Sequence, residues 1–212
     1  MRYDVAVIGA GLSGLTAASL LAKRGLKVAV IDKGHAPGGS CGAFKRSGAI
    51  VDQGASMLFG FGERGFNAHR FVFNCLEEPI DVVRHNLLYV VRFQGKTIRF
   101  WPDVGRFAQE LAEAFPSERE AVFRFYQDME KLYRRVMLEN PNYTTPDEAG
   151  LAASLRGFIR HPLATLRFLG YLNRSAESLL SEYFKDPMIF KFFDQLTSTY
   201  CYTTVAESPA IL

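Results

Sequence analysis

The sequence predicts an α/β fold: a βαβ unit at the start, an inserted hairpin further on, and a remainder that is mostly helical. Three observations carry this. Residues 3–32 read YDVAVIGAGLSGLTAASLLAKRGLKVAVID, which is strand, glycine turn, helix, strand and acid. A Gln94-Gly95 pair separates two apolar stretches, a hairpin signal. From Asp103 onward apolar residues recur every three or four positions, the period of an amphipathic helix.

In the first unit, Val5-Ala6-Val7-Ile8 and Val28-Ala29-Val30-Ile31 are apolar throughout rather than alternating. That pattern suits parallel strands covered on both faces. Between them lies Gly9-Ala10-Gly11-Leu12-Ser13-Gly14, then a helical stretch with Leu15, Ala18 and Ala22 on one face, ended by Gly25. Gly9 permits a tight turn, Gly11 removes the side chain where a pyrophosphate approaches, and Gly14 lets helix and strand pack closely. Free N–H groups at the helix start then face the phosphates. Asp32, 18 residues beyond Gly14, would accept hydrogen bonds from ribose hydroxyls and disfavours the 2′-phosphate of NADP. A GxGxxG alone is weak. Set between a strand and a helix, with an acid at this distance, it is a dinucleotide-binding, Rossmann-like fingerprint. The plain alternative is a glycine turn that binds no nucleotide.

The totals narrow the class. In 212 residues, 48% are hydrophobic and 22% charged, as in globular proteins. A net charge of +3 gives no argument for nucleic acid. Cys41, Cys75 and Cys201 are widely spaced and read as reduced thiols, buried and inert, in a cytosolic setting. No uncharged run reaches membrane-span length. His35, His69, His85 and His161 show no partner spacing, so no metal site and no catalytic acid or base is assigned.

After Asp32, Lys33-Gly34-His35-Ala36-Pro37-Gly38-Gly39-Ser40 is a loop by composition. Phe44 to Val51 reads as short strands around Ser47-Gly48, followed by a small-residue turn, Asp52-Gln53-Gly54-Ala55-Ser56. Ordinary turn chemistry would explain each glycine singly. Following a dinucleotide turn, ligand contact is the better reading. Gly65 to Glu77 is expected to be a helix with Phe66, Phe73 and Leu76, closed by Pro79. Asp81–Phe93 and Lys96–Trp101 are expected strands, with Leu88, Val90, Ile98 and Phe100 facing a core.

Asp103 is a predicted cap for a helix with Phe107, Ala108, Leu111, Ala114 and Phe115. Ser117 and Glu120 form a predicted capping box. It opens a helix with Val122, Phe125, Tyr126, Met129, Leu132, Tyr133 and Val136, laced by Glu120–Arg124 and Glu130–Arg134 pairs. Asn140 to Gly150 is a linker by composition. Between Glu148 and Glu177 there is no acid. Arg156, Arg160, Arg167 and Arg174 interleave there with apolar residues, and His161-Pro162 splits the stretch into two short helices. Two readings stay open for 151–175: a surface for an anionic membrane, or a buried helix pair with solvated arginines. Asp186 and Pro187 open the last helix as cap and first residue. Met188, Ile189, Phe192, Phe193 and Leu196 lie on one face of it. The chain then runs to Leu212 in an apolar, helix-like stretch.

The GxGxxG unit, the acid after the second strand, the Pro37-Gly38-Gly39 and the Asp52-x-Gly54 turn together resemble the flavin-dependent family of amine oxidases and phytoene desaturases. That resemblance implies FAD, with the second glycine pair and the Asp-x-Gly turn lining its site. The family often has Glu where this chain has Asp32, and a basic residue where it has Ser40. The resemblance thus implies FAD contacts at Gly9, Ala10, Gly11, Leu12, Ser13, Gly14, Asp32, Lys33, Gly38, Gly39, Ser40, Gly54, Ala55, Ser56 and Met57.

Phe107-x-x-x-Leu111, Phe115-Pro116-Ser117-Glu118, Phe125-Tyr126, Tyr183-Phe184-x-Asp186-Pro187 and Phe193-Asp194 are similar to segments of carotenoid isomerases, carotenoid desaturases and retinol saturases. The implied fold class is α/β. It has a Rossmann-like FAD-binding βαβ unit (1–78) and a hairpin followed by a mostly helical substrate domain (79–212), truncated relative to the longer family members. The implied activity is an FAD-dependent oxidoreductase or isomerase acting on a lipophilic polyene, a carotenoid or related polyprenoid. An amine oxidase is the rival enzyme. A prenyl-binding escort of the Rab GDP-dissociation-inhibitor type is the rival non-enzyme, disfavoured because all three turn glycines are present. The expected location is the cytosol, with peripheral membrane contact through 151–175.

Overall fold

The computed structural model describes residues 1–54, 60–63, 67–139 and 151–211, the side chains at 151–154 and 156 excepted. The chain forms two compact units, Met1–Val82 and Val83–Leu212.

In the first unit, β1 (Val5–Ile8) and β2 (Val28–Ile31) pair in parallel, Val5 opposite Val28 and Ile8 opposite Ile31. The crossover is α1 (Leu12–Lys23), which turns Ala18 inward, and Gly25 leaves it at φ +88. Val5 and Val7 are partly covered, whereas Ala6 and Ile8 are exposed. Ile8 is 88% exposed and Ile31 58%. The expectation of strands covered on both faces is therefore corrected. Among the described residues this sheet has two strands, and Val7 lies beside α1 at Gly14 while the opposite face is bare. A hairpin follows: β3 (Ala43–Arg46) and β4 (Ala49–Asp52) turn at Ser47 and Gly48, both at positive φ. Next comes α2 (Ala68–Leu76). The predicted start at Gly65 and the residue Phe66 lie outside the described residues. Lys23 at the end of α1 reaches Glu77, just past α2, at 2.7 Å.

The second unit starts with a hairpin, β5 (Tyr89–Phe93) and β6 (Lys96–Phe100), turning at Gln94-Gly95. Residues 81–88 are not strand, and the predicted inward face is corrected on this arm. Phe93 pairs with Lys96 and Val91 with Ile98, so Tyr89, Val91 and Phe93 share the face of Ile98 and Phe100. Leu88 and Val90 are exposed. The two-residue turn sets this phase, and the apolar pattern of 88–93, hydrophobic at nearly every position, cannot.

Asp103 caps α3 (Val104–Ala114), accepting from the Arg106 N–H at 2.7 Å. Phe107, Leu111 and the following Phe115 are buried. The capping box does not form. Residues 116–118 make a 3-10 turn before α4 (Arg119–Tyr133). Ser117 lies 3.5 Å from the Asp186 carboxylate. Glu118 is buried and accepts from the N–H groups of Lys185 and Asp186 at 2.6 and 2.5 Å. Two groups that could cap their own helix are spent on the start of another, because burying Glu118 demands partners. The Glu130–Arg134 pair forms at 3.0 Å. Glu120–Arg124 does not form among the described residues, and Arg124 lies over the Tyr183 ring instead. Beyond α4 the chain widens into a π-helical turn, Arg134–Leu138. The predicted linker at 140–150 lies outside the described residues.

The split at His161-Pro162 is present: α5 (Leu151–Arg160) and α6 (Pro162–Tyr171). His161 is not without a partner, since its Nε2 lies 2.6 Å from the Glu139 carboxylate. The reading of 151–175 as a buried helix pair with solvated arginines is corrected. The described arginines are engaged within the protein: Arg160 with the Glu139 carbonyl, Arg167 with Asp128, Arg174 with Glu182. Meanwhile Leu155, Ile159, Leu163 and Leu166 are exposed.

A short α7 (Ala176–Leu180), capped by Ser175, was not legible in the sequence. Asp186 caps α8 (Pro187–Cys201) and Pro187 is its first residue. Ile189, Phe192 and Phe193 are buried, and they join Phe93, Ile98, Phe115, Phe125 and Phe184 in one core. The predicted helix-like ending is corrected. Tyr202 turns left-handed at φ +57. The chain folds back so that the Ala210 N–H donates to the Arg174 carbonyl and the Ala176 N–H to the Ser208 carbonyl. The thiols are free, but Cys41 and Cys75 are exposed rather than buried, because each sits on an element of the thinly covered first unit.

Candidate dinucleotide site

The glycine turn after β1 depends for its shape on two of its three glycines. Gly9 stands at φ +104, a conformation that a side chain rarely adopts. Gly14 packs so closely that a Cβ there would lie 1.9 Å from the Gly9 carbonyl oxygen. Gly11, the N-terminal cap of α1, has an ordinary φ of −76, and a Cβ built on it would meet nothing within 4 Å. The first two glycines are required by the backbone. Among the described residues nothing requires the third, and a Cβ on it would enter open space at the start of a 12-residue helix.

The loop after β2 comes back onto this turn. Gly38 donates its N–H to the Ala10 carbonyl at 2.7 Å and pairs with Gly11 in a parallel bridge. Gly38 and Gly39 stand at φ +122 and +58, and a Cβ on Gly39 would lie 3.1 Å from the Gly11 Cα. A side chain at Gly39 is thus disfavoured by its φ and by its neighbour, whereas Gly11 stays open. Ser40 sits in the 3-10 turn Gly39–Cys41. Gly54 adjoins it, since its built Cβ would lie 3.0 Å from the Ser40 carbonyl oxygen. The Gln53 N–H donates to the Gly42 carbonyl at 2.8 Å, which fastens the end of β4 to the same loop.

Asp32 is the clasp of the arrangement. Its Oδ2 accepts from the Ala10 N–H and its Oδ1 from the Gly34 N–H, each at 2.6 Å. These two backbone donors, Ala10 first, hold the carboxyl below its usual range. The sequence motif predicts that this carboxylate accepts from ribose. The structure also uses it to tie the glycine turn to the chain beyond β2. Each carboxylate oxygen has a second lone pair, so the clasp leaves acceptors for hydroxyl donors.

Of the sequence-predicted residues, Gly9, Ala10, Gly11, Leu12, Ser13, Gly14, Asp32, Gly38, Gly39, Ser40 and Gly54 gather around one turn. Lys33 follows the clasp. Ala55, Ser56 and Met57 lie outside the described residues. Sequence reasoning missed Gly42 and Gln53, which hold the second loop. The only signal for them was a third glycine close behind Gly38 and Gly39. The residues fit a dinucleotide: a side-chain-free approach at Gly11, N–H groups at a helix start, and an ionised carboxylate at the second strand's end.

A separate polar cluster lies in the second unit. Tyr183 donates to the Asp128 carboxylate at 2.7 Å, and Arg167 donates to Asp128 at 3.2 Å, to the Tyr183 hydroxyl at 2.6 Å and to the Tyr171 hydroxyl at 2.7 Å. Burial opposes ionisation of Asp128, but the bonds from Tyr183 and Arg167 outweigh it and hold the carboxyl below its usual range. Burial, and then the bond to Asp128, push the Tyr183 hydroxyl up to about 12. The cluster joins α4, α6 and the segment before α8. It had no sequence signal, because its members are spread from 128 to 183.

Comparisons with known proteins agree with this geometry. The family profile described as an NAD(P)-binding Rossmann-like domain matches residues 7–74. A chloroplastic prolycopene isomerase from an Oncidium hybrid cultivar is 32% identical over 207 residues, covering 91% of this chain and 32% of the relative. A hydroxyneurosporene desaturase from Rubrivivax gelatinosus is 29% identical over 99% of this chain and 39% of the relative. A phytoene desaturase from Phycomyces blakesleeanus is 33% identical over 50% of this chain. The chain thus spans about a third of the length of the isomerases that it matches. Among solved structures, putrescine oxidase bound to putrescine aligns with a TM-score of 0.58 at 20% identity, over all of this chain and 40% of that one. An oxidoreductase from Methanosarcina mazei aligns at 0.60 and 16% identity. These two likenesses show the fold. The chain therefore carries an NAD(P)-binding Rossmann-like domain in its first unit, and its homologues are prolycopene isomerases, hydroxyneurosporene desaturases and phytoene desaturases.

Proposed function

We propose that this chain is the dinucleotide-binding and part of the substrate-binding portion of an FAD-dependent oxidoreductase or isomerase acting on a carotenoid or related polyprenoid. The observation that carries the dinucleotide is Gly11: a glycine with ordinary φ and open space at its Cα, placed at a helix start against Gly38 and Gly39. The polyene follows from the named activities of the homologues. In this reading Gly9 to Gly14 hold the pyrophosphate, and Asp32 accepts from a ribose hydroxyl while keeping its clasp on Ala10. Lys33, Gly38, Gly39, Ser40 and Gly54 border the nucleotide, and the family resemblance adds Ala55, Ser56 and Met57 as contacts. Bound FAD would supply the hydride chemistry; the protein supplies binding and orientation. Residues 1–78 serve as the cofactor part and 79–212 as the substrate part. Peripheral membrane contact through 151–175, in a cytosolic setting, belongs to the same reading.

The test is the visible spectrum of the purified chain, before and after adding FAD and desalting, with NAD titrated in parallel. A retained flavin band is expected. Gly11→Ala should leave the fold intact, because its Cβ meets only open space, and should lose most of the band. A band retained undiminished by Gly11→Ala would remove the residue that carries the assignment. Retention of NAD with no flavin band would replace FAD by NAD.

A further inference from the structure

Ala10 sits between Gly9 and Gly11, and the chain at and beyond the end of β2 holds it by both of its peptide groups. Its N–H donates to the Asp32 carboxylate at 2.6 Å, and its carbonyl accepts from the Gly38 N–H at 2.7 Å. Just before it, the Gly9 N–H donates to the Ile31 carbonyl at 2.7 Å. The other oxygen of Asp32 is fixed by the Gly34 N–H at 2.6 Å. The first helical bond of α1 runs from the Leu15 N–H to the Gly11 carbonyl. The N–H groups of Ser13 and Gly14 precede it and have no partner within the helix.

This arrangement sets a negative charge against a turn suited to phosphates. Charge alone makes that unfavourable, since like charges repel. An acid confined to ribose hydroxyls has no use for a bond to the turn, yet Asp32 gives one oxygen to Ala10. The bond matters to the turn itself. Ala10 is buried, and a buried N–H deprived of its acceptor has to find another, which here means moving the residue between the two glycines. The two backbone donors, Ala10 first, also keep the carboxyl ionised by holding it below its usual range.

From this geometry we infer that Asp32 is a positioning residue for the phosphate-binding turn: through Ala10 it sets the turn before a nucleotide arrives, and so governs affinity for a diphosphate as well as for ribose. The inference rests on the dinucleotide reading of this site and deepens it. Two consequences follow. The Ala10 N–H is taken by Asp32 and is not among the phosphate donors, which belong to the start of α1. Removing the Asp32 charge acts on a diphosphate in opposite directions under the two roles. An acid that serves ribose alone only repels the phosphates, so its neutralisation leaves their binding unchanged or improves it. An acid that sets the turn weakens their binding when it is lost.

The experiment is calorimetric titration of the full chain and of Asp32→Asn with ADP and with 2′,3′-dideoxy-ADP, which keeps the diphosphate and lacks the ribose hydroxyls. Amide hydrogen exchange at Ala10 and Ala18 is read by NMR on the same samples. Asp32→Asn is expected to weaken dideoxy-ADP about fivefold, although it removes a negative charge, and to weaken ADP by more. Exchange at Ala10 should quicken in the variant, while Ala18, buried on α1, keeps its protection. Dideoxy-ADP bound equally well or better by the variant would confine Asp32 to ribose and overturn the inference, leaving the dinucleotide reading in place. Loss of protection at Ala18 as well would make Asp32 a support of the whole unit and overturn the local role. The unmodified chain gives a check that needs no variant. Without nucleotide its Ala10 amide should be protected, and exchange there at the rate of an open amide overturns the inference. Failure of the unmodified chain to bind either nucleotide would instead overturn the dinucleotide reading, and the positioning role with it.

Discussion

Among the described residues of 1–82, the buried apolar side chains are Ala10 and Ala18, whereas 83–211 share a continuous core from Phe93 to Val205. The first unit is defined by backbone: positive φ at Gly9, Gly38 and Gly39, a carboxylate clasp at Asp32, and a contact at Gly14 too close for any side chain. The second is defined by side chains, above all interlocked rings such as Phe93, Phe115 and Phe192. A binding turn can thus be built with little hydrophobic burial, provided that its backbone conformation leaves no alternative. Its stability then depends on what binds it, since a ligand that binds only the native form adds to stability by mass action.

Trp101 is the sole tryptophan and lies in the second unit, so its fluorescence reads that unit, while flavin absorbance reads the first. The largest effect is expected from Phe192→Ala. Removing a fully buried ring should cost the Trp101 transition about 3–5 kcal/mol in urea denaturation. A cost under about 1 kcal/mol would mean that the core is not shared as described. Gly14→Ala should act in reverse. Its Cβ collides with the Gly9 carbonyl, overpacking of this kind costs about 1–3 kcal/mol, and flavin retention should fall while the Trp101 midpoint stays. A shifted Trp101 midpoint would show that the units unfold together.

Asp128→Asn tests the polar cluster. With its carboxylate partly exposed, the loss should be about 1 kcal/mol. The sign with pH is definite. A carboxyl held below its ordinary value of 3.8 contributes stability that is full above that value and lost as pH falls through its lower folded value. Acid titration of the Trp101 midpoint should therefore be flatter in the variant; an unchanged acid slope would remove Asp128 from the account. The smallest effect is expected from Glu130→Gln, whose exposed pair with Arg134 is worth about 0.2–0.5 kcal/mol. A calorimetric shift well beyond that would mean that the pair is coupled to the π-helical turn beside it.

Legibility in the sequence followed the range of the interactions. The glycine turn, Asp32, the Ser47-Gly48 and Gln94-Gly95 turns and the caps Asp103 and Asp186 were all readable, because each is set by a residue's own φ or by a hydrogen bond to a near neighbour. Local signals failed where a distant group outbid them. Ser117 and Glu118 left their own helix for Lys185 and Asp186. The hairpin arm at 88–93 took its inward face from pairing with 96–100. His161 found Glu139 across 22 positions.

What the sequence by itself determined is the dinucleotide turn and the order of helices and strands, since backbone conformation and apolar period are properties of neighbouring residues. What only the tertiary structure decided is where long-range partners meet. It closed Asp32 onto Ala10, gathered Asp128, Arg167 and Tyr183 into one cluster, and left Ile159 and Leu163 facing outward. Burial and pairing depend on what else is brought alongside, and no local pattern carries that information.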